Sequence, residues 1–522
     1  MTKTMEAATE SGRVLGVEAN GIVEFRGIPY AGPPVGEWRF QPPHDPDPWD
    51  SFSADRFGPA APQVFDPLEL PEGTPIEEDN CLTLNIFTPA ADSKKRPVMV
   101  YLHGGRWLSG RSGNPWYHGG RFVKRGGVVF VSVNYRLGAL GFLHLNGVLT
   151  DREREKYGAG GNAGVLDQAK ALAWVKRNIR AFGGDPENVT IFGESAGGVA
   201  VCAQMVLSTP EDLFQRAVVQ SGGPHFRSSA WADRVTRDFM RCAGANDLKD
   251  LLQMPFPALI AAQADLVKDS PFADALFGPV VDGTVFKDGV MELIDGGQVH
   301  DVPFMIGTTL DELRYWMWYY PQWRTYDVRQ AYRNLPFFRS MIDRSGQPLG
   351  VLEGLYRQSM PVASDNDIFW AVYNDMVFRV PSIKMLEALE ASADHSAGRW
   401  SYLFTWPSPI RENDVELGAM HAIDLPFVFY NAADYHYFFD HNGIPEGLAA
   451  ATQDAWIAFA RSGDPNHAGL PRWKPYSIEK RATMKLDAPP ELLYDPYGGQ
   501  RRAWENMKVK PFAGGASAVE SR

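Results

Sequence analysis

Cysteine is scarce in this chain of 522 residues: Cys81, Cys202 and Cys242 are an odd, scattered set, which argues against a disulfide framework. Cys202 reads as core filling, and none of the three needs a redox role. Basic charge is short as well. Lys and Arg total 51 against 63 Asp and Glu, a net charge of −12 with no polybasic run, which opposes nonspecific binding to nucleic acid or to anionic lipid headgroups. No stretch approaches the roughly 20 apolar residues that a membrane-spanning helix needs. Met1 to Arg13 has no apolar segment resembling a leader, so the expectation is a soluble, unexported, cytoplasmic protein. Low-complexity linkers and internal repeats are also missing.

What is present is the make-up of a large folded chain, 44% hydrophobic with 50 Gly and 39 Pro. One domain with insertions is expected over residues 12–510, with 511–522 as a disordered tail; Pro59 to Pro75 is a weak boundary candidate. Apolar runs at 98–102, 128–133, 189–192, 217–219 and 304–306 have the length and near-continuous hydrophobicity of buried parallel strands. Between the second and third, Asp167 to Arg180 carries Leu172, Trp174, Val175 and Ile179 at helical spacing and stops at Phe182-Gly183-Gly184-Asp185-Pro186. Strand, helix, strand implies a right-handed crossover, with a site at the carboxyl ends of the strands, where Gly104, Asn134, Ser195 and Ser221 fall.

One serine stands apart. Val189-Thr190-Ile191 runs into Phe192-Gly193-Glu194-Ser195-Ala196-Gly197-Gly198, a strand, a sharp turn and a small-residue helix start. Glycines around the turn allow a strained backbone that lifts the hydroxyl above the sheet, and the helix starting at Ala196 offers a free N–H where negative charge develops. This is the nucleophile elbow of an α/β-hydrolase fold, a mostly parallel central sheet flanked by helices, with helical insertions forming a gorge or lid. A serine attacks a carbonyl only with a histidine base, and the base needs a carboxylate to fix its tautomer, in the chain order Ser, acid, His. Of the 11 histidines, His225, His300, His395, His421, His436, His441 and His467 follow Ser195, and spacing does not choose among them. Asp311 and Glu312, at the end of a strand, are both candidate acids.

Longer motifs narrow the choice. Phe25-Arg26-Gly27-Ile28-Pro29-Tyr30-Ala31, Arg39-Phe40, Glu78-Asp79-Asn80-Cys81-Leu82, Asn134-Tyr135-Arg136-Leu137-Gly138, the stretch from Gly161 to Gly198, Gly278 to Gly283, His421-Ala422-Ile423-Asp424-Leu425-Pro426-Phe427 and Gly463-Asp464-Pro465-Asn466 follow one another in order. Over roughly residues 12 to 505 the chain resembles the type-B carboxylesterases, the group that includes cholinesterases and bacterial p-nitrobenzyl esterases. That resemblance implies Ser195 as nucleophile, Glu312 as acid and His421 as base, with an oxyanion hole from the backbone N–H groups of Gly105, Arg106 and Ala196. It further implies that Ser221 lies near the acid and that Glu194 and Arg136 are polar framework.

One departure stands out. Where the family has glycine or alanine, this chain reads His103-Gly104-Gly105-Arg106-Trp107, which puts the glycine-like backbone angles of the oxyanion loop in question. The Arg106 side chain is expected to point outward or to pair with an acid. Trp107 and the dense run Tyr315, Trp316, Trp318, Tyr319, Tyr320 and Trp323 are candidate pocket walls, although adjacent residues cannot all face one way. The expected activity is hydrolysis of small-molecule carboxylic esters through an acyl-enzyme. The alternatives are the same machinery acting on carbamates, amides or long-chain lipid esters, or a non-catalytic binding module. No cofactor and no metal are called for, and a monomer and a homodimer both stay open.

Overall fold

The structure, a computed structural model, describes residues 4–513 apart from 68, 271–272, 318–319, 393–396, 413–414, 433–438 and 440–442. Trp318, Tyr319, His395, His436, His441 and the segment 514–522 lie outside the described residues.

All five apolar runs become neighbours in the middle of a 13-stranded sheet. Val129–Val133, Arg96–Leu102, Gly184–Glu194, Arg216–Gln220 and Phe304–Thr309 lie side by side in that order and all parallel. Arg399–Phe404 and Ala482–Leu486 continue the parallel run. Helices cover both faces, so every residue of Val129–Val133 and of Phe304–Thr309 is buried, and alternation of polar and apolar residues has no place there. Antiparallel strands close the two sides: Thr4–Thr9, Gly12–Ala19, Ile22–Pro29 and Thr83–Thr88 on one, Glu491–Tyr494 on the other.

The crossover helix spans Ala163–Asn178 and tightens into a 3₁₀ turn at Ile179–Phe182, after which Gly183 at φ 81° ends it. It begins four residues before the expected Asp167. Small residues hide that start: a Cβ on Gly164 would lie 2.5 Å from the Phe142 ring, so close packing removes the apolar side chain that would have marked the first turn. Motifs far apart in sequence meet as buried ion pairs. Arg39 donates to both Glu78 oxygens at 2.6 Å, and Arg136 donates to Asp167 at 2.8 and 2.6 Å. The first pair joins two loops, and the second ties the loop after Val129–Val133 to the crossover helix.

Two expectations need correction. The Pro59 to Pro75 stretch is no boundary: Ala60 N–H donates to Pro75, Asn134 donates to Pro59 at 2.8 Å, and the loop so closed lies over the site. The tail does not begin at 511 either. Phe512 is buried, its N–H donates to Phe226 at 2.7 Å, and its carbonyl accepts from Ser228 at 2.9 Å. An aromatic side chain buried against the fold gains far more than the entropy that would fray it.

Between Phe304–Thr309 and Arg399–Phe404 the chain inserts helices, including Pro336–Arg344, Asp365–Asn374 and Val380–Ala391. A π-helical turn at Asp375–Arg379 joins the last two and brings the Phe378 ring 5.1 Å from His421.

Beneath the elbow, a Cβ on Gly197 would sit 2.0 Å from the Leu102 carbonyl oxygen, so the helix after Ser195 presses directly on the neighbouring strand. Gly197→Ala is expected to lower stability by about 3 kcal/mol, seen as an earlier midpoint in denaturant unfolding. An unchanged midpoint would contradict this packing.

Candidate active site

Ser195 holds φ 57° and ψ −123°, a conformation that costs a non-glycine residue on the order of 1–3 kcal/mol and persists only where its surroundings impose it. Its N–H donates to Gln220 at 2.9 Å and its carbonyl accepts from Val199 at 3.0 Å, pinning the turn between the next strand and the helix Ala196–Val206. The strained backbone leaves the side chain at the carboxyl end of the sheet, where it borders two cavities.

His421 lies beside the smaller cavity. Its Nδ1 is 2.6 Å from Glu312 Oε2, the backbone repeats the link from His421 N–H to the Glu312 carbonyl at 3.1 Å, and Glu312 Oε1 accepts from Thr309 N–H at 2.9 Å. Asp311, the other candidate acid, turns away: it accepts from Ala419 N–H at 3.0 Å and faces Arg314 at 3.4 Å. The next residue after His421, Ala422, has φ 65°, so the histidine loop is strained like the serine turn.

The other face of the imidazole is less ordinary. Nε2 lies 3.0 Å from Glu194 Oε1, so the residue expected as polar framework touches the imidazole. Burial alone pushes His421 down, but the Glu194 and Glu312 carboxylates outweigh it, raising the histidine to about 9. Burial pushes Glu194 up to about 8, against the pull of His421. Two further buried carboxylates belong to this cluster and were not singled out in the sequence. Burial raises Glu69 to about 7 and Asp424 to about 6, the latter holding hydrogen bonds from Tyr402 and Gln220 at 2.9 and 3.1 Å. Asp424 sat within a motif already noticed; Glu69 lay in the segment read as a boundary and carried no signal.

The loop expected to form the oxyanion hole takes up left-handed backbone at the arginine as well as at the glycine before it. Gly105, Arg106 and Trp107 all have positive φ, at 104°, 58° and 63°, and a Cβ on Gly105 would meet the Ser109 carbonyl oxygen at 2.1 Å. Gly105 and Arg106 border the smaller cavity and Ala196 the larger one, both beside Ser195. The Arg106 side chain does not swing into solvent: it is 21% exposed and its Nη2 lies 3.7 Å from Asp66 Oδ2, because the folded-over 59–75 loop supplies an acid that water would otherwise replace. Of the two expected outcomes, pairing with an acid is the one found.

Aromatic residues divide between the cavities. Tyr315 borders the smaller, Trp323 and Trp107 the larger, and Trp316 both, with its ring 4.9 Å from His421. The larger cavity holds about 150 Å³ and the smaller about 20 Å³. Ser221 makes no hydrogen bond to Glu312. Its N–H donates to Gly307 at 2.8 Å, and its buried Oγ has no hydrogen-bond partner among the described residues and borders the larger cavity.

A strained serine at the carboxyl ends of a mostly parallel sheet, with a histidine and a carboxylate arriving from later loops, defines an α/β-hydrolase. Residues 3–508 match the carboxylesterase family, and the chain belongs to it. It is 34% identical to the para-nitrobenzyl esterase of Bacillus subtilis (strain 168), covering 95% of this chain and 97% of that one. To the phenmedipham hydrolase of Pseudarthrobacter oxydans it is 33% identical over 92% and 94% of the two chains. The crystal structure of a Geobacillus stearothermophilus carboxylesterase at pH 6.2 superposes with a TM-score of 0.82 at 36% identity, over 96% of this chain and 100% of that one. The protein is a carboxylic ester hydrolase.

Because the Glu194 carboxylate is the strongest charge holding the proton on His421, Glu194→Gln should lower the histidine's pKa from about 9 toward its ordinary range. NMR titration of the His421 ring checks this, and a value unmoved or raised would overturn the electrostatic assignment.

Proposed function

We propose that the chain hydrolyses carboxylic esters through an acyl-enzyme on Ser195, with His421 as general base and Glu312 as the acid that orients it. The observation that carries this reading is the 2.6 Å contact of Glu312 with His421 Nδ1, which leaves Nε2 as the ring's working nitrogen beside the cavity that Ser195 borders. In the first half-reaction Nε2 takes the Ser195 proton as Oγ attacks the ester carbonyl. The tetrahedral oxyanion collects hydrogen bonds from the backbone N–H groups of Gly105, Arg106 and Ala196, each typically worth about 3 kcal/mol. The protonated ring then gives its proton to the departing alcohol. Water repeats the sequence on the acyl-enzyme and releases the acid.

Glu194, 3.0 Å from Nε2, has two effects on this cycle. Its field favours the imidazolium that forms as the serine attacks, which lowers the barrier, yet it favours the same imidazolium in the resting site, which delays the neutral base to higher pH. Trp316, Tyr315 and Phe378 around His421 keep that field strong by excluding water. Cysteines outside any disulfide, with Cys81 and Cys202 buried, suit work in a reducing cytoplasm.

Ser195→Ala should reduce ester turnover more than about a thousandfold while the fold persists, and Glu312→Gln should impair far more than Asp311→Asn. Stoichiometric labelling of Ser195 by a fluorophosphonate, lost in the alanine variant, tests the acyl-enzyme directly; a panel including p-nitrobenzyl esters and phenmedipham reads the substrate range. Turnover by Ser195→Ala within tenfold of the parent would remove the nucleophile from the proposal. Since the neutral imidazole is the active form and its pKa is raised to about 9, kcat/KM should still be climbing between about pH 7 and pH 9. A plateau complete by pH 6 would contradict it.

A further inference from the structure

The larger cavity is charged in a way that the chain as a whole is not. Among the described residues lining it, five are Lys or Arg and none is Asp or Glu, in a protein where acids outnumber those bases 63 to 51. Two of the five are spoken for: Arg106 faces Asp66, and Arg227 donates to the Ala275 carbonyl at 2.7 Å. The other three form one wall. Arg344 comes from the end of helix Pro336–Arg344, and Lys508 and Lys510 come from the segment that Phe512 anchors. Arg344 is half-buried, its guanidinium lies 5.4 Å over the Phe512 ring, and Nη2 donates to the Pro511 carbonyl at 3.3 Å. Phe337 and Phe512 pack at 5.5 Å, so helix and segment are joined rather than merely adjacent. No carboxylate among the described residues pairs with Arg344, Lys508 or Lys510.

A cation taken partly out of water without an acid partner is unfavourable, and burial alone lowers the Arg344 pKa. What relieves such a site is an anion brought by the ligand, and a guanidinium matches a carboxylate with two parallel hydrogen bonds. From Ser195 the cavity passes apolar side chains, Val199, Phe337, Met341 and Phe378 among them, and it also reaches the cationic wall. The smaller cavity mixes the two signs, since Asp66, Glu69 and Glu194 border it together with Arg106 and His421. An ester with one ionised end therefore has one orientation in which its carboxylate meets cations that no acid among the described residues pairs.

We propose that the larger cavity selects esters that carry a carboxylate beyond an apolar stretch, with Arg344, Lys508 and Lys510 receiving the carboxylate. This rests on the Ser195 esterase reading and adds the substrate class to it.

The test compares p-nitrophenyl hexanoate with the p-nitrophenyl monoester of adipic acid, which has the same six-carbon acyl chain ending in a carboxylate. A second pair places the carboxylate on the alcohol half of a hexanoate ester. In at least one pair the charged ester should have the higher kcat/KM at low salt, and the preference should shrink as salt is raised. In Arg344→Gln the charged-to-neutral ratio should fall by about tenfold. Lys508→Gln/Lys510→Gln changes only exposed positions and should lower the same ratio at least about threefold, which keeps the test decisive if Arg344→Gln does not fold. Ratios at or below one in both pairs, or ratios that the variants leave alone, overturn the assignment. Fluorophosphonate labelling and turnover of the neutral ester in the same samples report on Ser195 itself, so a failed esterase is distinguished from a failed anion site.

Discussion

One imidazole among buried carboxylates is the constraint around which this site is built. Glu194, Glu312, Glu69 and Asp424 each act electrostatically on or under His421, and all lie in or beside a water-poor pocket. Removing an isolated carboxylate from water costs several kcal/mol even after relaxation, so four such groups are sustainable only with protons, hydrogen bonds or a counter-charge. The structure uses all three. Glu312 has a backbone N–H and the histidine, Asp424 has Tyr402 and Gln220, and Glu69 lies in the field of Arg106. Glu194 has the imidazole at 3.0 Å. Its burial is tolerable because His421 keeps a proton, and His421 keeps that proton because Glu194 is buried beside it.

Such a cluster needs a rigid frame, since a shift of an ångström would leave a charge without its partner. The frame is made by close packing at both strained positions. Gly197 lets the helix after Ser195 rest on the Leu102 carbonyl, while the Glu312 carbonyl holds the His421 backbone ahead of the positive φ at Ala422. Strain at Ser195 is therefore balanced by contacts below the sheet, and strain near His421 by a hydrogen bond to the acid itself.

How much of this was legible in the sequence follows from what kind of signal each feature leaves. The five central strands are continuous apolar runs because both faces are buried, and the serine turn has its own glycine signature; both could be read. Arg399–Phe404 was missed, for Arg399 opens it and is buried only because Asp301 at 3.0 Å and the Val302 carbonyl at 2.9 Å receive its guanidinium. The strands Thr4–Thr9 and Gly12–Ala19 at one side of the sheet are half-exposed and lack that apolar continuity. In the site, spacing could not separate Asp311 from Glu312, because the turn that aims one at His421 and the other at Ala419 is tertiary. Glu69, Arg344 and Lys510 left no mark at all, since their roles depend on loops folding back over the sheet.

The same fold-back explains how an acidic protein can present a cationic cavity wall. A net charge of −12 opposes long-range attraction of an anion, but charge on the outer surface is screened within about 8 Å at physiological salt. Inside a walled cavity the nearest charges dominate, and there the wall formed by Pro336–Arg344 and the 507–512 segment is basic. Across Ser195, Arg106 lies against Asp66 and moderates a pocket that would otherwise gather three acids. Arg106, where the family has a small residue, thus serves the charge balance of the smaller cavity. In the proposed mechanism the substitution is compatible with ester hydrolysis, because only its backbone N–H is called on at the reacting carbonyl.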